Sequence, residues 1–458
     1  MLKKINYTGY AAGTLGTTLV TAVITTYLTI YLTNVALMDI AAVAAIMAVS
    51  KVFDGISDII IGNIVDHTSS RFGRARVWIL RMCIPLAAAM MLLFWMPPQL
   101  SGAARYVYVF IMYNLVNTVF LTFMNISDMS LISLMTPDRK EHGLLANAQS
   151  FGRNLGVLLG SSFTVKLLEA FSDKPGDQNT QKGYTLTVVV ICLFMVAANV
   201  FKVFTTKETE QGGAAPEDRE KRSIKKDLEV FRTVLTDKNW VALLLVQILN
   251  CICMPLAAMG AAYFAMYRLG DMGQMSWMMA TQTAPSFLVV FFIPILMKKY
   301  DKVRLLKIGA VVTLAGAVCF GLALPARGAM IVFNLIRGTG QGIFICMLFG
   351  LVADSADIIG RKRGAAVAGV SFAGMSAGDK IGTGLGSAFF GAVMAAAGFS
   401  GALKAQPPAV ATASTWMFVW AQAVIFFVIL IILTFMLDKD MEHSADNGDL
   451  TTELPDGK

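Results

Sequence analysis

The chain has 458 residues, of which 56% are hydrophobic and only 15% are charged. Soluble proteins carry about 25% charged residues, so this composition excludes a large soluble domain and predicts a membrane protein. The formal net charge of +8 comes from basic residues in short loops between apolar segments. That distribution is typical of cytoplasmic membrane loops, and it argues against nucleic acid as the partner.

Hydropathy predicts an all-α integral membrane fold with twelve transmembrane helices. The basic start of the chain precedes an apolar segment too long for a signal-peptide core, so this segment is predicted to remain as the first span. Basic residues concentrate in alternate loops, which predicts that both termini are cytoplasmic. The predicted segments are residues 8–33, 38–65, 77–97, 104–135, 143–171, 183–204, 238–267, 276–298, 304–325, 328–355, 364–398 and 412–437.

A polar stretch of mixed charge, residues 205–237, interrupts the apolar chain near its middle and predicts a cytoplasmic linker. The linker separates an N-terminal part, 1–204, from a C-terminal part, 238–438, and each part has six predicted helices. Equal halves of this kind are typical of duplicated transporters, whose binding site lies between the halves near the membrane midplane. The remaining residues, 439–458, predict a disordered cytoplasmic tail.

The second predicted helix carries Lys51, Asp54 and Asp58, whose spacing puts all three charges on one helix face. An ionisable group at bilayer depth costs ~2.5–3.5 kcal/mol on the insertion scale, so the trio indicates function. The alternative interpretation is a snorkelling lysine with a structural ion pair, which leaves the second carboxylate without a partner. Two carboxylates on adjacent turns can share a small cation or a proton, so we predict a coupling site here.

Further charged and polar residues lie inside other predicted helices. Arg153 is about ten residues into its helix, which puts it ~15 Å deep. Opposite charges from different helices relieve each other's desolvation when they meet across a water-filled cavity. Asp379 and Lys380 are neighbours in the eleventh segment. The predicted substrate-binding set is Thr18, Asn125, Asp128, Arg153, Asn250, Arg337, Gln341 and Lys380.

Charges at the cytoplasmic ends of the predicted helices predict gating or structural ion pairs. Asp354 and Asp357 precede the basic run 361–363, which favours a salt-bridge cluster. The basic turn after the second helix is a topology signal and a source of helix-end contacts. The predicted gating set is Lys51, Arg71, Arg74, Arg76, Asp354 and Asp357.

The pattern D-x-x-x-D in the second helix, followed by D-x-T-x-S-R-x-G-x-x-R-x-W, resembles the glycoside–pentoside–hexuronide:cation symporters of the major facilitator superfamily. TPDRKE, V-A-D-x-x-D and KIGTGLG farther along the chain support the resemblance. It implies sugar or glycoside symport with Na⁺ or H⁺ across the plasma membrane. It also implies a cation site formed by Asp54, Asp58, Ser57 and Thr122, and it matches Lys380 to the family's lysine in helix 11.

Melibiose-type members bind sugar with two carboxylates where this sequence has Thr18 and Asn125. Arg153, Arg337 and Lys380 suit a carboxylate on the substrate, so a hexuronide or other acidic sugar is favoured over melibiose. No G-x-x-x-x-G-K-[ST] phosphate loop is present, and no cofactor beyond the coupling ion is expected. The alternatives are a lipid carrier on the same fold and, less favoured because the histidines and cysteines form no catalytic constellation, an integral-membrane enzyme.

Overall fold

The structure is a computed structural model that describes residues 2–66, 68, 70–136, 139–173, 179–208, 234–363, 368–403 and 405–437. Each of the predicted segments overlaps a helix in this part of the chain. Nine helical stretches of the described residues are long and apolar enough to cross a membrane. The count of twelve spans and the cytoplasmic termini stay predictions. Most of the predicted linker, 209–233, and the predicted tail lie outside the described residues.

Before and after the linker, the helices follow one another closely along the chain, as expected from the apolar segments and the loops between them. The helices of the N-terminal part are α1 Lys4–Ile30, α2 Ile40–Asp66, α3 Arg76–Leu93, α4 Ala103–Asn114, α5 Thr122–Met135, α6 Arg139–Phe171 and α7 Gln181–Thr205. Those after the linker are α8 Lys238–Tyr267, α9 Gln274–Val289, α10 Ile293–Leu296, α11 Lys302–Leu322, α12 Arg327–Arg363, α13 Ala368–Ala396, α14 Pro408–Thr415 and α15 Ala421–Phe435.

Among the described residues, three short π-helical stretches continue or join α-helices: Tyr31–Val35, Leu115–Leu121 and Trp416–Trp420. A π turn widens the helix and shifts the direction of the side chains beyond it. The stretch Leu115–Leu121 joins α4 to α5, so the single predicted segment 104–135 changes its face halfway along. The Thr122 hydroxyl donates to the carbonyl of Asn117, five residues earlier, at 3.3 Å, and thereby satisfies one backbone oxygen of this wider turn.

The chain forms two compact units, and the predicted division into two halves stays a prediction. The first unit comprises Met1–Lys221, Cys251–Ala284 and Asp379–Gln422, and the second comprises Arg222–Asn250, Pro285–Gly378 and Ala423–Lys458.

Within the first unit, α1 packs closely on α6 because glycines of α6 face it. A Cβ atom on Gly156 would lie 2.8 Å from the Leu15 carbonyl oxygen and 2.9 Å from the Thr18 Cβ. A Cβ atom on Gly160 would lie 2.7 Å from the Ala22 Cβ. Small residues let membrane helices approach until their backbones touch, and this pair is an example.

Within the second unit, α11 and α12 make the equivalent close contact. A Cβ atom on Gly309 would lie 2.7 Å from the backbone nitrogen of Phe344. A Cβ atom on Gly316 would lie 2.7 Å from the backbone nitrogen of Arg337. The glycines of α11 therefore hold the central part of α12, which carries the fully buried Arg337, against their own helix.

Candidate ion-coupling site

Helix α2 and the part of α13 that belongs to the first unit, from Asp379 onward, lie side by side in antiparallel directions. A Cβ atom on Gly391 would lie 3.1 Å from the carbonyl oxygen of Ile40, near the start of α2. A Cβ atom on Gly384 would lie 3.4 Å from the Cβ of Lys51 and 3.5 Å from the carbonyl oxygen of Ala48. The absence of a side chain at Gly391 lets the start of α2 approach α13, and the helices remain in contact as far as Lys51.

Asp54 lies at the centre of this interface, and its carboxylate is buried. The Lys51 ammonium donates to Asp54 Oδ2 at 2.8 Å, and the Asn117 amide donates to the same oxygen at 3.0 Å. The Thr118 hydroxyl donates to the other carboxylate oxygen, Oδ1. Three donors, one of them charged, thus bond to the two oxygens of this buried carboxylate and fix its orientation.

Asp58 lies one turn farther along α2, and Lys380 of α13 pairs with it. The Lys380 ammonium donates to Asp58 Oδ2 and, at 3.0 Å, to the backbone carbonyl of Asp54. The Ser57 hydroxyl donates to the same Asp54 carbonyl at 3.0 Å. Each carboxylate of the pair therefore has one lysine on it, and the two ion pairs are joined through a single backbone oxygen.

Of the four residues predicted to form the cation site, three lie together and the hydroxyl of the fourth is bonded elsewhere. Ser57, Asp54 and Asp58 lie together, whereas the Thr122 hydroxyl is bonded to the Asn117 carbonyl. The hydroxyl on the Asp54 carboxylate belongs to Thr118, one turn earlier. Sequence reasoning missed Thr118 and Asn117, although the four-residue spacing from Thr118 to Thr122 was a usable signal.

A second charged cluster lies between α1, α5 and α7. The ammonium of Lys202 forms an ion pair with the Asp128 carboxylate and donates to the Thr14 hydroxyl at 3.2 Å. It also lies 4.1 Å from the centroid of the Tyr10 ring, as a cation–π contact. The Thr14 hydroxyl donates to Asp128 Oδ2 at 2.9 Å, and the Gln149 amide donates to it at 3.4 Å.

Lys202 was absent from the predicted site because it lies within one turn of the end of α7. A lysine in that position ordinarily reaches the membrane surface with its ammonium group. Here the side chain turns inward and is completely buried. Gly13 on α1 is the sequence signal, because the carbon stem of Lys202 occupies the space beside it.

The remaining residues of the predicted substrate set are divided between the two units. In the first unit, Thr18 is half-buried against Gly156, while Asn125 and Arg153 are exposed. In the second unit, the Gln341 amide donates to Asn250 Oδ1 at 3.0 Å.

The basic turn between α2 and α3 is held by the end of α7. The Glu208 carboxylate accepts hydrogen bonds from the backbone nitrogens of Arg74 and Arg76, at 2.6 and 2.9 Å. The Arg76 side chain donates through Nε to the Val203 carbonyl at 3.1 Å, while the side chains of Arg71 and Arg74 are exposed. A carboxylate at a helix N-terminus satisfies free amides and complements the helix dipole, so Glu208 fixes the start of α3.

At the other predicted gate, Asp354 of α12 pairs with Lys302 at the start of α11. The Lys302 ammonium donates to Asp354 Oδ1 at 2.7 Å and to Oδ2 at 2.6 Å. Sequence reasoning had placed Asp354 beside the basic run that follows it. The side chains of Asp357 and of residues 361–363 lie outside the described residues.

The family model described as MFS/sugar transport protein matches residues 9–438. An isoprimeverose transporter of Lactiplantibacillus pentosus is 24% identical, covering 91% of this chain and 87% of that protein. A glucuronide carrier protein homolog of Escherichia coli is 22% identical, covering 85% of this chain and 83% of that protein. The solved structure of a D-xylose-proton symporter is 15% identical and has a TM-score of 0.68. The match covers 94% of this chain and 97% of that chain.

Proposed function

The chain belongs to the MFS/sugar transport protein family, and we propose that it imports a sugar or glycoside together with Na⁺ or H⁺. Like its family and relatives, it is a multi-pass plasma membrane transporter. It is not an enzyme. The resemblance to the glycoside–pentoside–hexuronide:cation symporters is confirmed at the level of the family. Cation coupling, the coupling ion and the substrate are the proposed parts.

The observation that carries the proposal is the pair of carboxylates on α2, each bonded to a lysine. A tethered ammonium group on a carboxylate occupies a position that a mobile cation can take in exchange. Asp58 and Lys380 are joined across two helices, so an arriving cation at Asp58 releases α13 from α2. Binding energy is thereby converted into a change of helix contacts, which is what coupled transport requires.

The driving force is sufficient without ATP. A membrane potential of 100 mV supplies ~2.3 kcal/mol for each charge moved, and a tenfold cation gradient adds ~1.4 kcal/mol. The sum corresponds to ~500-fold accumulation of a neutral substrate with one cation. An acidic substrate carries its own negative charge inward, so its accumulation depends on the number of cations that accompany it.

For the substrate, we favour a hexuronide or another acidic sugar. Arg153 is exposed in the first unit, where its guanidinium is free to meet a carboxylate in the bidentate geometry that arginine prefers. Thr18 and Asn125 supply neutral groups where a melibiose-type member has carboxylates. The glucuronide carrier homolog among the relatives supports the same choice.

Uptake into proteoliposomes tests the function. With an inward gradient of Na⁺ or of protons, the protein should accumulate a labelled sugar above its outside concentration, and collapsing the gradient should release it. A panel of glucuronides, galactosides and pentosides identifies the substrate class. If no sugar of the panel is taken up with either gradient, the proposal is wrong.

Competition then separates the two substrate classes. A glucuronide should displace a bound labelled sugar, and melibiose should not. The reverse result would show that the buried and exposed basic residues serve ion pairing and not substrate recognition.

A further inference from the structure

The charge at the α2–α13 interface is not balanced once the residue before Lys380 is included. Lys51 and Lys380 contribute two positive charges, while Asp54, Asp58 and Asp379 contribute three negative charges. The first two carboxylates each have a lysine bonded to them. Asp379 instead accepts a hydrogen bond from the thiol of Cys251 on α8, at 2.9 Å.

Asp379 is close enough to the site to act on it. The Lys51 ammonium bonds to Asp54, and the backbone carbonyl of Asp54 bonds to Lys380, so these groups share one level of the interface. Asp379 precedes Lys380 on α13, so its negative charge lies beside the level at which Lys380 bonds to the Asp54 carbonyl. The stem of Lys51 lies against Gly384 of α13, on the same helix as Asp379, so Lys51 is in contact with the helix that carries this carboxylate.

The side chain of Asp379 is exposed, although it lies in the middle of a helix that is predicted to span the membrane. Carboxylates in such helices face a water-filled cavity or the bundle interior, because contact with lipid is too costly. A thiol is a weak hydrogen-bond donor and carries no charge, so it compensates little of the cost of this carboxylate. Asp379 is therefore suited to receive a cationic partner.

We propose that Asp379 is a positioning residue for coupling, which takes the Lys51 ammonium when the coupling cation binds Asp54. Lys51 then moves between two carboxylates and is never left as an uncompensated charge. The excess negative charge of the five residues is neutralised by the arriving cation. This inference rests on the proposed cation-coupled transport and names the group that lets the cation displace Lys51.

The exchange predicts opposite effects for two variants. In Asp379→Asn, Lys51 has no second carboxylate and competes with the cation for Asp54. The cation concentration that gives half-maximal sugar uptake should rise about tenfold, which is ~1.4 kcal/mol. In Lys51→Gln, the competitor is removed, so half-maximal uptake should need less cation than in the unmodified protein.

The decisive measurement is the double variant Lys51→Gln/Asp379→Asn. With no lysine to relocate, the loss of Asp379 should no longer matter, and cation activation should match that of Lys51→Gln alone. Asp379→Glu should retain activation near that of the unmodified protein. Asp173→Asn serves as the matched control, since Asp173 is an exposed carboxylate paired with Lys182 at 2.6 Å.

Activation is measured in proteoliposomes, by Na⁺ at fixed pH and by protons without Na⁺, with sugar counterflow as the second readout. Counterflow should be preserved in Asp379→Asn. Unchanged activation, an equal fall in counterflow, or no recovery in the double variant would each overturn the inference while leaving the proposed function standing. If Asp379→Asn does not accumulate in the membrane, Asp379→Ser takes its place, with the same expected rise alone and the same recovery when combined with Lys51→Gln. Failure of the unmodified protein to couple sugar uptake to either cation would instead refute the proposed function.

Discussion

Two of the lysine–aspartate pairs among the described residues of the first unit join different helices, and they differ in how far water reaches them. The Lys202 and Asp128 side chains are 1% and 13% exposed, whereas those of Lys380 and Asp58 are 18% and 38% exposed. A pair without access to water cannot exchange its partner cheaply, because each charge would be left in an apolar surrounding. The accessible pair can exchange its lysine for a cation from solution. Exposure therefore distinguishes the Lys380–Asp58 pair from the Lys202–Asp128 pair, and it suits the first of them to the proposed coupling role.

The surroundings of the two pairs agree with this distinction. Lys202 has three partners of different kinds, which are the Asp128 carboxylate, the Thr14 hydroxyl and the Tyr10 ring. These contacts join α1, α5 and α7 into one packed group. The pair on α2 and α13 instead connects two helices through the side chain of Lys380.

The largest expected difference between the two pairs appears when the buried lysine is removed. Lys202→Met should lower the free energy of unfolding by ~3–5 kcal/mol, because it leaves a buried carboxylate without its counter-charge. Lys380→Gln should cost ~1 kcal/mol or less, since water reaches Asp58. Melting of both variants in the same detergent gives the measurement.

Lys202→Met/Asp128→Leu is the control for that prediction. Replacing both members of a buried pair by apolar residues is often neutral, so the double variant should recover most of the lost stability. Equal destabilisation by Lys202→Met and Lys380→Gln would remove the proposed difference between the two pairs.

The second test concerns transport and the accessible pair. Asp54→Asn and Asp58→Asn should each abolish uphill accumulation, because the cation loses a negatively charged ligand, while downhill exchange continues. For a neutral sugar carried with one cation, the steady-state ratio of inside to outside sugar should fall from ~500 to about one. Lys380→Gln should also reduce accumulation, since it removes the positive partner of Asp58. The control Asp173→Asn should accumulate sugar normally, and undiminished uptake by both α2 variants would contradict the assignment.

Much of this arrangement follows from spacing in the sequence. The positions of Lys51, Asp54 and Asp58 predict one helix face, and the structure has the three on the face that meets α13. Helix existence follows from hydropathy in the same way, because an apolar stretch in a membrane must satisfy its own backbone. Both inferences depend on local periodicity, which a single sequence contains.

The parts that sequence could not supply depend on departures from regular helices or on long-range packing. The regular period of 3.6 residues puts Thr118 and Thr122 on the same helix face, and in the structure, where the π turn at Leu115–Leu121 interrupts that period, Thr118 is the one bonded to Asp54. The inward direction of Lys202 depends on the space that Gly13 leaves on another helix. Glu208 reaches the start of α3 only because the ends of α3 and α7 meet.

The smallest expected effect is the one that distinguishes Thr118 from Thr122. Thr118→Val keeps the shape of the side chain but removes the hydroxyl that donates to Asp54 Oδ1. The site loses an oxygen and a fixed carboxylate orientation, so half-maximal uptake should require about tenfold more cation, or ~1.4 kcal/mol. Thr122→Val removes a hydroxyl bonded to the Asn117 carbonyl, and activation should change by less than about twofold. Cation titration of sugar uptake in the two variants gives the comparison. A larger effect in Thr122→Val would mean that the hydroxyl implied by the family resemblance, and not the one brought to Asp54 by the π turn, contacts the coupling ion.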